Sequence, residues 1–181
     1  FGLNKYLVST NLNGCEFSNQ LIIEALRNTD NRIKNNQSVT PGFLIAALLW
    51  PQLIKKSLKG NEINLKKFFR SMDSILRNQQ KITAIPRKFH TYIKDIWVLQ
   101  LKLHSRIGRQ PYKILKHPRF RAAYDFLLVR EKAAGKTKDL GFWWTEFQKN
   151  NEDLKKKLIN DLKKNNLEES SKIFGFSKEL R

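Results

Sequence analysis

The strongest constraint on this chain is the spacing of its apolar residues, which recurs at helical intervals between prolines and glycines from end to end. Leu21, Ile22, Ala25, Leu26, Thr29 and Ile33 share one helix face behind Ser18 as an N-cap. Thr40 and Pro41 open an apolar run through Trp50 that Pro51 ends or kinks, with Gly60 closing the segment. Leu65, Phe68, Phe69, Met72, Ile75 and Leu76 trace a stripe between Asn64 and Asn78. Pro86 starts a further helix expected to reach Ile107 and stop at Gly108, with Phe89, Ile93, Ile96, Trp97, Leu103 and Ile107 on its apolar face. After a turn-rich stretch, Pro118 introduces a segment apolar on nearly every side, which belongs at the centre of its domain and ends at Gly135. No run alternates long enough to make a strand. The expected fold class is therefore all-α, a compact bundle of short helices with room for two small helical subdomains.

We divide the chain into a helical body region (1–84), a basic helical region (85–150) and a charged, weakly ordered tail (151–181). The tail has one amphipathic helix, carried by Leu154, Leu158, Ile159 and Leu162 after Asn151. In 181 residues there is enough chain for one good core or two small ones. Cys15 is the only cysteine, which excludes a disulfide framework and suits a reducing cytoplasm, and it has no nearby base. The longest apolar stretch, Phe43 to Trp50, is too short to span a bilayer, and no signal peptide is visible. The first residue is Phe1, so we expect a piece of a longer protein.

Charge narrows the partner. Lysine and arginine total 35 against 16 aspartate and glutamate, a formal net charge of +19. Between Ile33 and Val129 the only acids are Glu62, Asp73, Asp95 and Asp125. Such a field attracts polyanions, because each neutralised phosphate releases a condensed counterion. Arg119, early in its helix, is favoured as a phosphate ligand by free backbone N–H groups there. Arg106, Arg109, Lys113 and Lys116 flank the same segment, and Tyr112 is a candidate platform for base stacking. Arg87, Lys102 and Arg121 complete the set, although Arg121 also stands four residues before Asp125 as an intrahelical pair. These cations are expected to converge from the two proline-initiated helices into one groove.

Catalytic chemistry is absent by these signs. There is no glycine-rich phosphate loop, nucleophile elbow or zinc-binding helix motif. Asp30 reads as a salt-bridge partner of Arg32, not as a metal ligand. His90, His104 and His117 are singletons: His117 suits a hydrogen-bonding role before Pro118, and His104 and Gln100 suit satisfied buried positions. Trp143, Trp144 and Phe120 suit burial more than base stacking. No catalytic residue and no metal ligand is assigned.

Several segments together resemble the C-terminal part of bacterial poly(A) polymerases of the class II nucleotidyltransferase superfamily, which also includes the CCA-adding enzymes. They are Leu26 to Ile33 (LRNTDNRI), Thr40 to Trp50 (TPGFL through AALLW), Ile85-Pro86-Arg87 with Asp95 to Gln100 (DIWVLQ), Leu115 to Asp125 (LKHPRFRAAYD) and Trp143 to Phe147 (WWTEF). The resemblance covers roughly Leu21 to Gln148. It implies an all-helical body and RNA-binding region that follows a catalytic head and neck. It also implies a cytoplasmic parent enzyme that uses ATP and Mg²⁺ to add AMP to RNA 3′ ends without a template, marking RNA for decay. The head, with its Asp-x-Asp metal pair, is not in this sequence, so the chain alone is expected to bind RNA, to need no cofactor and to be inactive. The family often ends in an arginine-rich tail, whereas this one mixes Lys, Asn and Glu. Two other functions fit the same residues: the helical arm of a tRNA CCA-adding enzyme, and a non-catalytic basic module that contacts proteins.

Overall fold

The computed structural model describes residues 16–59, 62–134 and 140–163. Cys15, Gly60, Gly135 and the tail from 164 lie outside them. Among the described residues eight helices follow one another: α1 (Glu16–Lys34), α2 (Pro41–Ser57), α3 (Leu65–Gln80), α4 (Arg87–Lys102), α5 (Gln110–Leu115), α6 (Phe120–Ala133), α7 (Leu140–Lys149) and α8 (152–163). A two-residue antiparallel pairing of β1 (Leu58–Lys59) with β2 (Glu62–Ile63) joins α2 to α3, with Leu58 opposite Ile63. The fold is all-α.

Local boundaries follow the backbone chemistry, with several corrections to the expected ends. α1 begins at Glu16, so Ser18 is a buried residue of its first turns and not its cap. α2 runs through Pro51 to Ser57. A proline there removes one intrahelical donor and crowds the preceding turn, but burial on most sides keeps the helix going. Asn64 caps α3 by accepting the Lys67 N–H at 3.0 Å. The α3 stripe narrows to Phe68, Met72, Ile75 and Leu76, leaving Leu65 and Phe69 exposed. α4 stops at Lys102, five residues short of Ile107; Ile107 is exposed, and Gly108 takes a left-handed φ of 62° in the turn beyond. His104 is consequently exposed, whereas Gln100 is buried.

Two apolar clusters hold the helices together. The first gathers Leu21 of α1, Leu49 and Trp50 of α2, Phe68 of α3, Trp97 of α4 and Phe126 of α6. The second gathers Leu103, Phe120, Tyr124, Trp144, Phe147 and Ile159. α4 and α6 contribute to both, so the central position expected for α6 is the one it occupies. At the seam, Gln100 donates to the Ala123 carbonyl at 2.9 Å and accepts from Arg130 Nη1 at 2.9 Å. The Arg130 guanidinium lies 4.5 Å from the Trp50 ring centroid, and desolvation pushes its pKa down to about 10. α8 docks through Ile159 with Leu158 and Leu162, while Leu154 stays exposed; Asn151 caps it by accepting the Leu154 N–H at 3.0 Å.

A buried carboxylate clamps α1 to α6. Glu24, 3% exposed, accepts from Arg27 Nη1 and from Lys132 Nζ, both at 2.7 Å. The bond from Lys132 holds its carboxyl below the usual value, against the upward pull of burial. A carboxylate with a lowered folded pKa stabilises the fold above its unfolded value and loses that contribution as pH falls through the folded one. Lys132→Met is therefore expected to cost about 1 kcal/mol at pH 7. The gap to the unaltered chain should narrow as pH falls below the ordinary glutamate value of 4.5, as read from urea midpoints at neutral and acid pH.

Candidate nucleic-acid interface

The turn His117-Pro118-Arg119 brings the start of α6 against α4 and the end of α1. His117 Nδ1 accepts the Arg119 N–H at 3.1 Å, and the His117 carbonyl accepts the Phe120 N–H at 2.9 Å. Arg119 is thus the N-cap of α6 and its own amide is taken, which corrects the expectation of a free N–H at that position. Its guanidinium is exposed and rests over the Tyr92 ring at 4.9 Å from the centroid. No carboxylate pairs with it among the described residues.

Beside Arg119 opens a cleft of about 210 Å³, lined by Arg32, Thr40, Tyr92, Arg119, Arg121 and Asp125 among others. Arg32 enters from α1. Its Nε and Nη2 each donate to the Ser38 carbonyl at 3.1 Å, and its Nη1 donates to Asp125 Oδ2 at 3.2 Å. The expected Asp30–Arg32 pair is not formed; Asp30 is exposed and the real partner of Arg32 lies 93 residues away. Arg121 makes the expected intrahelical pair, Nε to Asp125 Oδ1 at 3.1 Å, yet its side chain stays 69% exposed. Burial raises the Asp125 carboxyl pKa, opposed by Arg121 and Arg32. Three guanidinium groups against one carboxylate leave the cleft with surplus positive charge.

The start of α2 also lines the cleft. Thr40 makes no side-chain capping bond and the first turn has no acid, so the electropositive end of the helix is left uncompensated. Gly42 permits this approach: a Cβ there would stand 2.7 Å from Tyr92 Cδ1.

The expected convergence of all these cations into one groove is not found: of the predicted set only Arg119 and Arg121 line this cleft, and the remaining cations lie outside it. Arg87 is exposed in the first turn of α4 and Lys102 is exposed at its last residue, about 22 Å apart at the helical rise per residue. Arg109 stands at the N-cap position of α5 with no side-chain capping bond, and Lys113 and Lys116 are exposed on and just beyond the helix. Arg106 lies over Trp143, 5.6 Å from the ring centroid. Tyr112 is half-buried, edge-on to Phe147 at 5.3 Å, and its hydroxyl pKa is raised by burial and by Glu152. Trp144 is fully buried and Trp143 nearly so.

Sequence reasoning missed Arg32 and Tyr92. No local signal marks either one, because Arg32 has a nearer acid in sequence and Tyr92 lies on the flank of an amphipathic helix.

The described residues contain no group of three or more His, Cys, Asp or Glu side chains able to hold a metal ion. No described helix is long and apolar enough to cross a membrane. Residues 61–173 match the model of the polymerase A arginine-rich C-terminus. Poly(A) polymerase I of Salmonella typhi is 36% identical over 156 residues, 83% of this chain and 34% of that protein. The Escherichia coli O157:H7 protein of the same name gives the same figures. The Haemophilus influenzae one is 34% identical over 150 residues, 80% of this chain and 33% of its own length. The chain thus spans about a third of the length of these relatives.

Proposed function

Since the chain belongs to the family of the C-terminal part of bacterial poly(A) polymerase I, we propose that it is the RNA-holding portion of such an enzyme. The parent adds AMP from ATP to RNA 3′ ends in the cytoplasm, without a template, and so promotes RNA decay. The observation that carries this reading is the convergence of Arg119 and Arg121 with Arg32 at one open cleft. Phosphate contacts of this kind add affinity and register but little sequence preference, which suits an enzyme that must accept many RNA ends. Region 85–150 provides most of the contacts. Arg87, Lys102, Arg106, Arg109, Lys113 and Lys116 supply the wider field that draws the strand in, and Tyr112, half-buried against Phe147, is the residue for base stacking. ATP and Mg²⁺ are what such a parent enzyme would use; no catalytic step is placed on this chain.

The test is salt-dependent binding of fluorescent oligoadenylate to the chain. Arg119→Ala with Arg121→Ala should weaken binding about equally for oligoadenylate and oligouridylate. The slope of log K against log salt should fall by about 0.7 for each phosphate no longer neutralised. Equal affinity of the variant and the parent chain would refute the assignment. Stronger competition by folded tRNA than by an unpaired oligoribonucleotide would favour the arm of a CCA-adding enzyme.

A further inference from the structure

Asp125 occupies an unusual place in a cleft otherwise suited to anions. It is one of the few acids of the basic region, it is buried, and it accepts from two arginines brought together from α1 and α6. Arg32 is not saturated by it. A guanidinium carries five N–H donors, and the hydrogen bonds of Arg32 use three of them, two toward Ser38 and one toward Asp125. Arg119 brings a further guanidinium with no ionic partner among the described residues. Geometry that offers spare, fixed N–H forks around a small space is the geometry that grips a phosphate, whose oxygens accept from several donors at once.

We propose that the cleft seats one backbone phosphate of the bound RNA between Arg32 and Arg119, and that Asp125 is a resident competitor setting how tightly that phosphate is held. The proposal rests on the RNA-binding reading above and extends it to α1, outside region 85–150. Asp125 acts in two opposed ways. Its hydrogen bonds hold Arg32 and Arg121 at the rim, so the site is organised before the strand arrives. Its charge also repels the incoming phosphate across a few ångströms of partly desolvated space, where charge interactions are several-fold stronger than in water. Release is thereby kept easy, as a strand that must advance after each addition requires.

Asparagine at 125 separates the two effects, since it keeps the shape and one acceptor but removes the charge. Asp125→Asn should tighten oligoadenylate binding by roughly three- to ten-fold. Arg32→Gln should weaken it by a similar factor and take about 0.7 from the salt slope. The two should be measured beside Arg109→Ala/Lys113→Ala, which alters the α5 surface and leaves the cleft intact. If the α5 variant binds more weakly while the residue-32 and residue-125 variants match the parent chain, the seat is overturned and RNA binding stands. If the parent chain binds no RNA at all, the underlying reading fails. Because Arg32→Gln could loosen the α1–α2 turn, a second measurement uses the unaltered chain. Titration with inorganic phosphate, followed by NMR, should shift the Arg32 side-chain Nε–H and the Gly42 amide, and competing oligoadenylate should reverse those shifts. Phosphate shifts that oligoadenylate leaves untouched would identify a free-phosphate site and overturn the assignment to RNA.

Discussion

Trp97→Ala should lower the unfolding free energy by about 3–5 kcal/mol, the range for deleting a large aromatic side chain from a packed interior. Trp97 is fully buried among α2, α4 and α6 in the first cluster. Its Nε1 donates to the Ala46 carbonyl of α2 at 3.0 Å. Truncation therefore empties a large volume and also strips a buried hydrogen bond that ties α4 to α2. Trp97→Phe, which keeps most of the apolar volume, should cost clearly less. Urea unfolding followed by far-UV circular dichroism decides the matter. A loss below about 1 kcal/mol for the alanine variant would mean that the first cluster is not packed as described.

Trp144→Ala should cost a comparable amount, again about 3–5 kcal/mol, through the second cluster. Trp144 is fully buried, with ring centroids 5.3 Å from Phe120 and 5.7 Å from Phe147. Its Nε1 donates at 2.9 Å to the carbonyl of Leu103, the C-cap of α4, where a helix end otherwise leaves acceptors unmet. α8 docks on the same cluster through Ile159, so amide exchange in 152–163 should accelerate in the variant before global unfolding. α4 and α6 run through both clusters, and for that reason both tryptophan variants should shift one shared transition. Two resolved transitions, each moved by only one variant, would show two independently folding subdomains.

Where sequence and structure part, the separation follows the range of the interactions. α3 is legible nearly to its ends because Phe68, Met72, Ile75 and Leu76 repeat at helical spacing behind Asn64, whose side chain caps it locally. α5 reads only as a turn, since Gln110–Leu115 is too short to establish a period. Ile107 reads as helical because the spacing continues past the point where α4 stops, and the pattern has no means of marking that break.

The sequence by itself determined the helical class, the order of the main helices, the cationic bias and the family. Each of these is written in spacing, in proline and glycine placement, or in contiguous residues such as those from Leu115 to Asp125. Only the tertiary structure decided which charges meet. Arg32 reached Asp125 instead of Asp30, and Tyr92 came to lie under Arg119. The reason is physical: helix formation is governed by neighbours three or four residues apart, whereas a cleft is assembled from groups far apart in the chain that burial brings together.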